Sequence, residues 1–176
     1  MSPPANHEAT FQSWLEEHRG IFVKVARSFA RGETGVGELQ QEMMFQLWLS
    51  LPRYAGQAKP STWIYRVCLN TAMTWRRGEQ RRDRRIEPEA DLSRLAADAA
   101  TPAETAGNKD LLEQLYSALQ AMLPSERALV LLMLDGLAYR DIAEVTGMTE
   151  NHVGVALTRA RRHLAVLLKG VTDELE

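Results

Sequence analysis

The side chains best suited to hold a ligand form one stripe on a helix predicted over residues 61–82. At about 100° per residue, the stripe lies within about 60° of Trp63 and consists of Trp63, Arg66, Asn70, Arg77 and Arg81. Guanidinium groups pair with phosphates, an indole ring can stack on a base, and a carboxamide can hydrogen-bond a base edge. The combination predicts a surface for single-stranded or opened DNA.

A loop and a core-facing arc flank this stripe. The loop over residues 53–60 contributes Arg53, Tyr54 and Lys59, and flexible Gly56 leaves room for a base turned out of the stack. The arc is centred about 90° from Trp63 and is predicted to face the core; its members are Ile64, Val67, Cys68, Thr71 and Trp75. Taken alone, Trp63 fits a core aromatic equally well, and an arginine run is often simply solvated.

A second candidate surface follows from small residues at fixed spacing near the C-terminus. Ala143, Gly147 and Val153 match a helix-turn-helix, in which a small residue, a turn glycine and an apolar plug let two helices cross tightly. The second helix of such a unit enters the DNA major groove. The residues predicted to face bases and phosphates there are Thr149, Asn151, His152, Val155, Thr158, Arg159 and Arg162.

Helices must carry both surfaces, because apolar residues recur at three and four positions and strand signals are absent. The predicted helices span 8–30, 36–51, 61–82, 102–122, 125–135, 138–146 and 149–169. The segment Thr101-Pro-Ala-Glu104 has the residues of a helix start. We therefore expect an all-α fold of two small helical domains, 8–85 and 108–170, joined by a flexible acidic linker over 86–107.

Composition excludes several other classes of protein. The net charge is only −2, but six arginines fall within residues 76–85 and six acids within residues 86–110, so the charge is separated along the chain. The four histidines and single Cys68 have no spacing suited to a metal, and no nucleophile motif or phosphate-binding glycine loop occurs. We therefore expect that the protein is not an enzyme and that it binds no cofactor and no metal. Without a transmembrane-length apolar run, we expect a cytoplasmic protein that does not insert in membranes.

Two longer motif sets occur in order along the chain. The first comprises Glu38-Leu-Gln-Gln-Glu-Met-Met-Phe-Gln-Leu-Trp48 and Ser61-Thr-Trp-Ile-Tyr-Arg-Val-Cys-Leu-Asn70. The second comprises Leu123-Pro-Ser-Glu-Arg127, Gly136-Leu-Ala-Tyr-Arg-Asp-Ile-Ala143 and Leu157-Thr-Arg-Ala-Arg161. They resemble regions 2 and 4 of the sigma factors of bacterial RNA polymerase, in the small extracytoplasmic-function (group 4) class.

This resemblance implies partners and a mechanism. Region 2 would dock on the β′ clamp helices of core RNA polymerase, and the residues at the matching positions are Leu39, Gln41, Glu42 and Trp48. The loop over 53–60 and the following helix would hold the melted −10 element of promoter DNA. Region 4 would sit on the β flap and place the helix beginning at Thr149 in the −35 major groove. An anti-sigma factor is a further possible partner.

Two departures from the family pattern bear on these expectations. The clamp-binding helix usually opens with an Asp-Ala-Glu-Asp-like run, but here Gly35-Val-Gly-Glu38 stands there. One hypothesis is that a Ser/Thr kinase restores the charge by phosphorylating Thr34; the other is that nearby glutamates suffice. In the recognition helix, Gly154-Val-Ala156 replaces a Lys-Ser-Arg-like run, so we expect fewer phosphate contacts and a weaker salt dependence.

An alternative of another class is a helix-turn-helix transcriptional regulator that does not bind core polymerase. Its first domain would serve as a sensor or dimerisation module, which has no need of an aromatic-arginine stripe beside a cationic loop. Co-purification with core polymerase distinguishes the two hypotheses.

Overall fold

A computed structural model describes the backbone of residues 5–86 and 106–173. Its helices are α1 (Ala5–Phe29), α2 (Gly32–Ser50), α3 (Pro60–Ile86), α4 (Ala106–Ala121), α5 (Pro124–Leu134), α6 (Tyr139–Thr146) and α7 (Glu150–Asp173), with a 3-10 turn at Leu51–Arg53. No strand occurs in these two ranges. The all-α expectation is confirmed, and the helix ends lie within a few residues of those predicted. The helix start at 101–104 and residues 87–105 of the predicted acidic linker lie outside the described backbone.

Helices α1 to α3 form the first lobe around one apolar core. Its wholly buried side chains include Phe29, Leu39, Met43, Leu47 and Ile64. Helix α1 is kinked at His18, whose φ of −119° and ψ of 18° are not helical. The 3-10 turn and the loop over residues 54–59 join α2 to α3, so the predicted DNA loop begins where the core ends.

Helices α4 to α7 form the second lobe and contain the predicted helix-turn-helix. Gly147 ends α6 with φ of +74°, a conformation that costs other residues energy. Thr149 caps the start of α7, where its hydroxyl accepts a hydrogen bond from the His152 backbone N–H at 3.3 Å. Val153, Leu157, Ala160 and Leu164 are buried along one face of α7, as the apolar spacing predicts.

The two lobes pack against each other, with α1 contacting α4 and α5, and α3 contacting α6. This packing corrects one expectation about α3. Its buried side chains are Thr62, Ile64, Tyr65, Cys68, Leu69 and Ala72, which centre about 180° from Trp63 rather than about 90°. Of the arc predicted to face the core, Ile64 and Cys68 are wholly buried, and Val67 and Trp75 pack against the core, so these positions are confirmed. The buried arc is wider than predicted because the second lobe covers Tyr65 and Leu69, which line crevices shared with α4, α5 and α7.

Candidate nucleic-acid interface

The predicted DNA loop is fixed to the first lobe by an aromatic cluster. The Tyr54 ring packs edge-on between Trp14, at a centroid distance of 4.8 Å, and Trp63, at 5.5 Å. Its hydroxyl donates to the Ala58 carbonyl at 2.7 Å, and the Trp63 indole N–H donates to the Ser50 hydroxyl at 3.0 Å. Trp63 and Tyr54 are therefore half-buried, and each leaves part of its ring for a ligand.

The cations and the amide of the predicted stripe differ in their access to solvent. Those with exposed side chains are Arg53, Lys59, Asn70, Arg77 and Arg81. Arg66 is half-buried, because its guanidinium donates to the Glu144 carbonyl of α6 at 2.5 Å. The Lys59 ammonium lies 3.3 Å from the Asp141 carboxylate, also of α6. The second lobe thus occupies two of the cations that sequence reasoning assigned to DNA.

The exposed side of α7 carries the residues predicted to enter the major groove. Those with exposed side chains are Thr149, Asn151, His152, Val155, Thr158, Arg159 and Arg162. Arg159 and Arg162 are the two arginines of this set, so they supply its permanent positive charge for phosphates. Half-buried Gly154 faces the Tyr139 ring, which an added Cβ would meet at 3.5 Å.

The two candidate DNA surfaces meet at a cavity of about 440 Å³ between the lobes. Asn70 of α3 reaches it from the first lobe, and His152 and Arg159 of α7 reach it from the second. The rest of the lining is mainly apolar and includes Leu69, Met73, Leu129 and Met148.

The predicted polymerase contacts on α2 need one correction. Leu39 is wholly buried in the first-lobe core, so its assignment as a contact residue was wrong; its apolar side chain completes the packing of three helices. Gln41 is exposed. Glu42 accepts a hydrogen bond from the Gln46 amide at 2.9 Å, and Trp48 is half-buried edge-on against Phe11 at 5.2 Å.

Sequence reasoning missed the apolar residues on the solvent side of α2. Phe45 and Leu49 are 55% and 48% exposed and follow Gln41 at successive intervals of four, so the three side chains share one face. Leu111, Leu112 and Leu134 of the second lobe are likewise exposed. The spacing on α2 could have revealed this face, because the core-facing residues Leu39, Met43 and Leu47 form the opposite stripe.

Thr34 lies in the first turn of α2 and is exposed beside Glu33, so its hydroxyl is open to a modifying enzyme.

Cys68 is wholly buried, and burial raises the pKa of its thiol. Among the described residues, no three His, Cys, Asp or Glu side chains converge as a metal site. None of the helices searched is long and apolar enough to cross a membrane.

Comparison with known proteins gives two family matches in succession. Residues 14–82 match Sigma-70 region 2, and residues 112–164 match Sigma-70, region 4. The ECF RNA polymerase sigma factor SigG of Mycobacterium tuberculosis is 28% identical, over 78% of this chain and 43% of that protein. The ECF RNA polymerase sigma factor SigE of Mycolicibacterium smegmatis is 26% identical, over 89% of this chain and 62% of that protein.

The chain therefore spans less than half of the first relative and under two thirds of the second. Among solved structures, RpoE in complex with the anti-sigma factor NepR from Bartonella quintana matches with a TM-score of 0.72 and 19% identity. That match covers 91% of this chain and 97% of RpoE. At this identity the likeness concerns the fold, and it extends over both lobes.

Proposed function

The chain belongs to the sigma-70 family, as an extracytoplasmic-function sigma factor, and from that membership we propose that it directs core RNA polymerase to specific promoters. The main support for this proposal is that a region 2 match is followed by a region 4 match along the chain. Each region lies on its own lobe and carries a surface suited to DNA. Members of this family act as transcription initiation factors, and we assign this chain no covalent chemistry. Its place of action would be the cytoplasm, with the polymerase.

The first lobe is proposed to recognise and hold the opened −10 strand. Exposed Arg53, Arg77 and Arg81 would neutralise phosphates, and Asn70 would hydrogen-bond a base edge. The free part of the Trp63 ring would stack on a base, and its hydrogen bond to Ser50 fixes the ring plane in advance. Favourable contacts with the separated strand would offset the free energy of unpairing.

The second lobe is proposed to place α7 in the −35 major groove. Asn151, His152, Val155 and Thr158 would face base edges, while Arg159 and Arg162 would reach the backbone. With two arginines and the exposed Glu150 at the helix start, the electrostatic attraction there would be modest. Most of the DNA affinity would accordingly come from the first lobe.

Core polymerase is the proposed protein partner of α2 and of the second lobe. Gln41, Phe45 and Leu49 form a mixed polar and apolar face on α2, the composition of a protein interface centre with a polar edge. We assign this face to the β′ clamp helices. The exposed Leu111, Leu112 and Leu134 of the second lobe would contact the β flap.

Besides core polymerase, we propose two regulators of this chain. An anti-sigma factor could cover the same surfaces as polymerase, and the RpoE neighbour is seen in complex with one. A Ser/Thr kinase could act at Thr34, whose phosphate would add the negative charge absent from Gly35-Val-Gly-Glu38. The kinase hypothesis fails if the purified, unmodified protein binds core polymerase as tightly as other sigma factors do and Thr34→Glu leaves that affinity unchanged.

Run-off transcription with purified core polymerase on a promoter library tests the function. We expect promoter-specific transcripts with the wild type, and a loss of about tenfold or more with Arg77→Ala combined with Arg159→Ala. The matched control is Arg19→Ala, which removes an exposed arginine of α1 far along the chain from both surfaces. Failure of every form, phosphorylated or not, to bind core polymerase would favour the regulator alternative.

A further inference from the structure

An apolar cavity of about 300 Å³ lies where α1 and α3 meet α4 and α5. Among the described residues that line it, none belongs to the surfaces predicted for DNA. We propose that this cavity binds a small, uncharged, mainly apolar molecule with one oxygen acceptor, such as an aryl or alkyl ketone. The Tyr65 hydroxyl would donate a hydrogen bond to that oxygen.

Aliphatic side chains from both lobes form most of the cavity wall. They are Val25, Leu112, Leu115, Leu119, Leu131 and Leu134. Val25, Leu119 and Leu131 are buried and form the inner wall, whereas Leu112 and Leu134 are 42% and 50% exposed. The entrance therefore lies between the two exposed leucines, and the interior favours an apolar ligand.

The volume of the cavity sets the size of its occupant. An apolar protein cavity of about 150 Å³ can take up benzene, so twice that volume suits a ligand of roughly ten to twelve non-hydrogen atoms. Water is a poor occupant, because it needs two or more polar partners and aliphatic walls supply none.

Tyr65 brings an unpartnered polar atom to this wall. The residue is 3% exposed, and its buried hydroxyl has no hydrogen-bond partner among the described residues. Buried tyrosine hydroxyls usually find a partner, because an unsatisfied donor costs free energy; the Tyr54 hydroxyl, for comparison, donates to the Ala58 carbonyl at 2.7 Å. A ligand oxygen would supply the missing acceptor, which selects a carbonyl compound over a hydrocarbon.

The charged groups beside the cavity neutralise each other. The Lys24 ammonium of α1 forms an ion pair with the carboxylate of Asp135, which follows α5. Neither group needs a counter-charge from a ligand. An ionised ligand would leave water for aliphatic surroundings without an unpaired opposite charge, which is costly. The ligand is therefore uncharged.

The entrance coincides with part of the surface that we assign to the β flap. Leu112 and Leu134 belong both to the cavity lining and to that surface. A bound ligand would restrict the rotamers of these two side chains, so its occupancy would change the affinity for polymerase. That consequence rests on the proposed function, whereas the ligand site itself does not.

The test titrates benzylacetone, a neutral aryl ketone of about 11 non-hydrogen atoms, into the full chain without polymerase or DNA. NMR of isotope-labelled methyl groups follows Leu119 and Leu131 in the cavity, and Leu129 in the larger cavity reports binding elsewhere. We expect shifts at Leu119 and Leu131 that saturate with a dissociation constant of roughly 0.1–1 mM, and little change at Leu129.

Tyr65→Phe removes the hydroxyl and keeps the ring. Its affinity for benzylacetone should fall about threefold to tenfold, while its melting temperature should stay the same or rise, because an unsatisfied group is lost. Xenon has no acceptor and enters apolar cavities, so it should shift the same methyl groups equally in both proteins. The matched control is Tyr139→Phe, which removes the hydroxyl of a tyrosine that is 41% exposed on α6 and should keep the wild-type affinity.

Leu115→Trp provides a second variant, because a larger side chain at this half-buried position of the wall should fill the cavity and abolish binding of both probes. Equal ketone affinity in the wild type and Tyr65→Phe would overturn the proposal. So would the absence of shifts at Leu119 and Leu131, or shifts that persist in Leu115→Trp. If the ketone binds through Tyr65 but no form of the chain initiates transcription with core polymerase, the cavity site stands and the sigma function fails.

Discussion

The Lys59 ammonium and the Asp141 carboxylate lie 3.3 Å apart although 82 positions separate them in the chain. The pair joins the loop before α3 to the first helix of the helix-turn-helix. Together with the hydrogen bond from Arg66 to the Glu144 carbonyl, it joins the second lobe to the predicted DNA surface of the first.

Gly147 and Gly154 are predicted to respond to alanine in opposite directions. Gly147 has φ of +74°, so Gly147→Ala should lower the free energy of unfolding by about 1–2 kcal/mol. Gly154 lies inside α7, where its added Cβ would meet the Tyr139 ring at an ordinary 3.5 Å. Gly154→Ala should raise the free energy of unfolding by about 0.5–1 kcal/mol.

Urea unfolding followed by circular dichroism measures both changes, and each variant serves as the control for the other. Destabilisation by Gly154→Ala would show that the Tyr139 contact does not relax.

Leu39→Ala and Phe45→Ala should separate stability from polymerase binding on one helix. Leu39 is wholly buried, so its truncation should lower the free energy of unfolding by about 2–5 kcal/mol. Phe45 is 55% exposed, so its truncation should change stability by less than about 1 kcal/mol and weaken core-polymerase binding several-fold. Thermal unfolding measures the change in stability, and a pull-down with core polymerase measures binding. Gln12→Ala, a substitution at an exposed position of α1, is the control for both.

The sequence predicts the helices well because apolar spacing, turn glycines and cap residues are local signals. Gly147 and Thr149 occupy the conformations that their residue types favour. It predicts less well which face of α3 is buried, because Tyr65 and Leu69 meet residues of the second lobe. Leu39 was misassigned as a polymerase contact because its position in a motif does not show whether its side chain faces the core or the solvent.

Contacts between the lobes are the least predictable part of the site. The Gln120 amide reaches the Arg27 carbonyl across 93 positions, and Arg127 reaches the Ser28 carbonyl across 99. Both acceptors are backbone atoms, which every residue possesses, so no residue type marks them. The same applies to the Glu144 carbonyl that accepts from Arg66.

Arg77→Ala should reduce the salt dependence of single-strand binding. Arg77 is exposed on the stripe, and its guanidinium donates to the neighbouring Thr74 hydroxyl at 3.2 Å. If it neutralises one phosphate, the slope of log affinity against log salt should fall by about 0.7 for a single strand. Titrations over a salt series measure the slope, with Arg19→Ala as control. An unchanged slope would remove Arg77 from the DNA surface.

Cys68 should make stability depend on alkaline pH. Burial raises the pKa of its thiol in the folded chain, whereas the unfolded chain releases this proton above a pKa of about 8.5. Above that pH the unfolded state binds fewer protons than the folded state, so the free energy of unfolding falls as pH rises. The slope from this group should be about 1.4 kcal/mol per pH unit.

Cys68→Ala isolates that contribution, because every other titrating group is common to both proteins. Its stability at neutral pH should be lower, since a buried sulfur is replaced by space. The stability difference between wild type and variant should then shrink between about pH 9 and pH 10.5, because only the wild type loses the thiol contribution. Urea titrations across that window measure it. A constant difference would mean that the Cys68 proton is released equally readily from the folded chain, and hence that solvent reaches the sulfur.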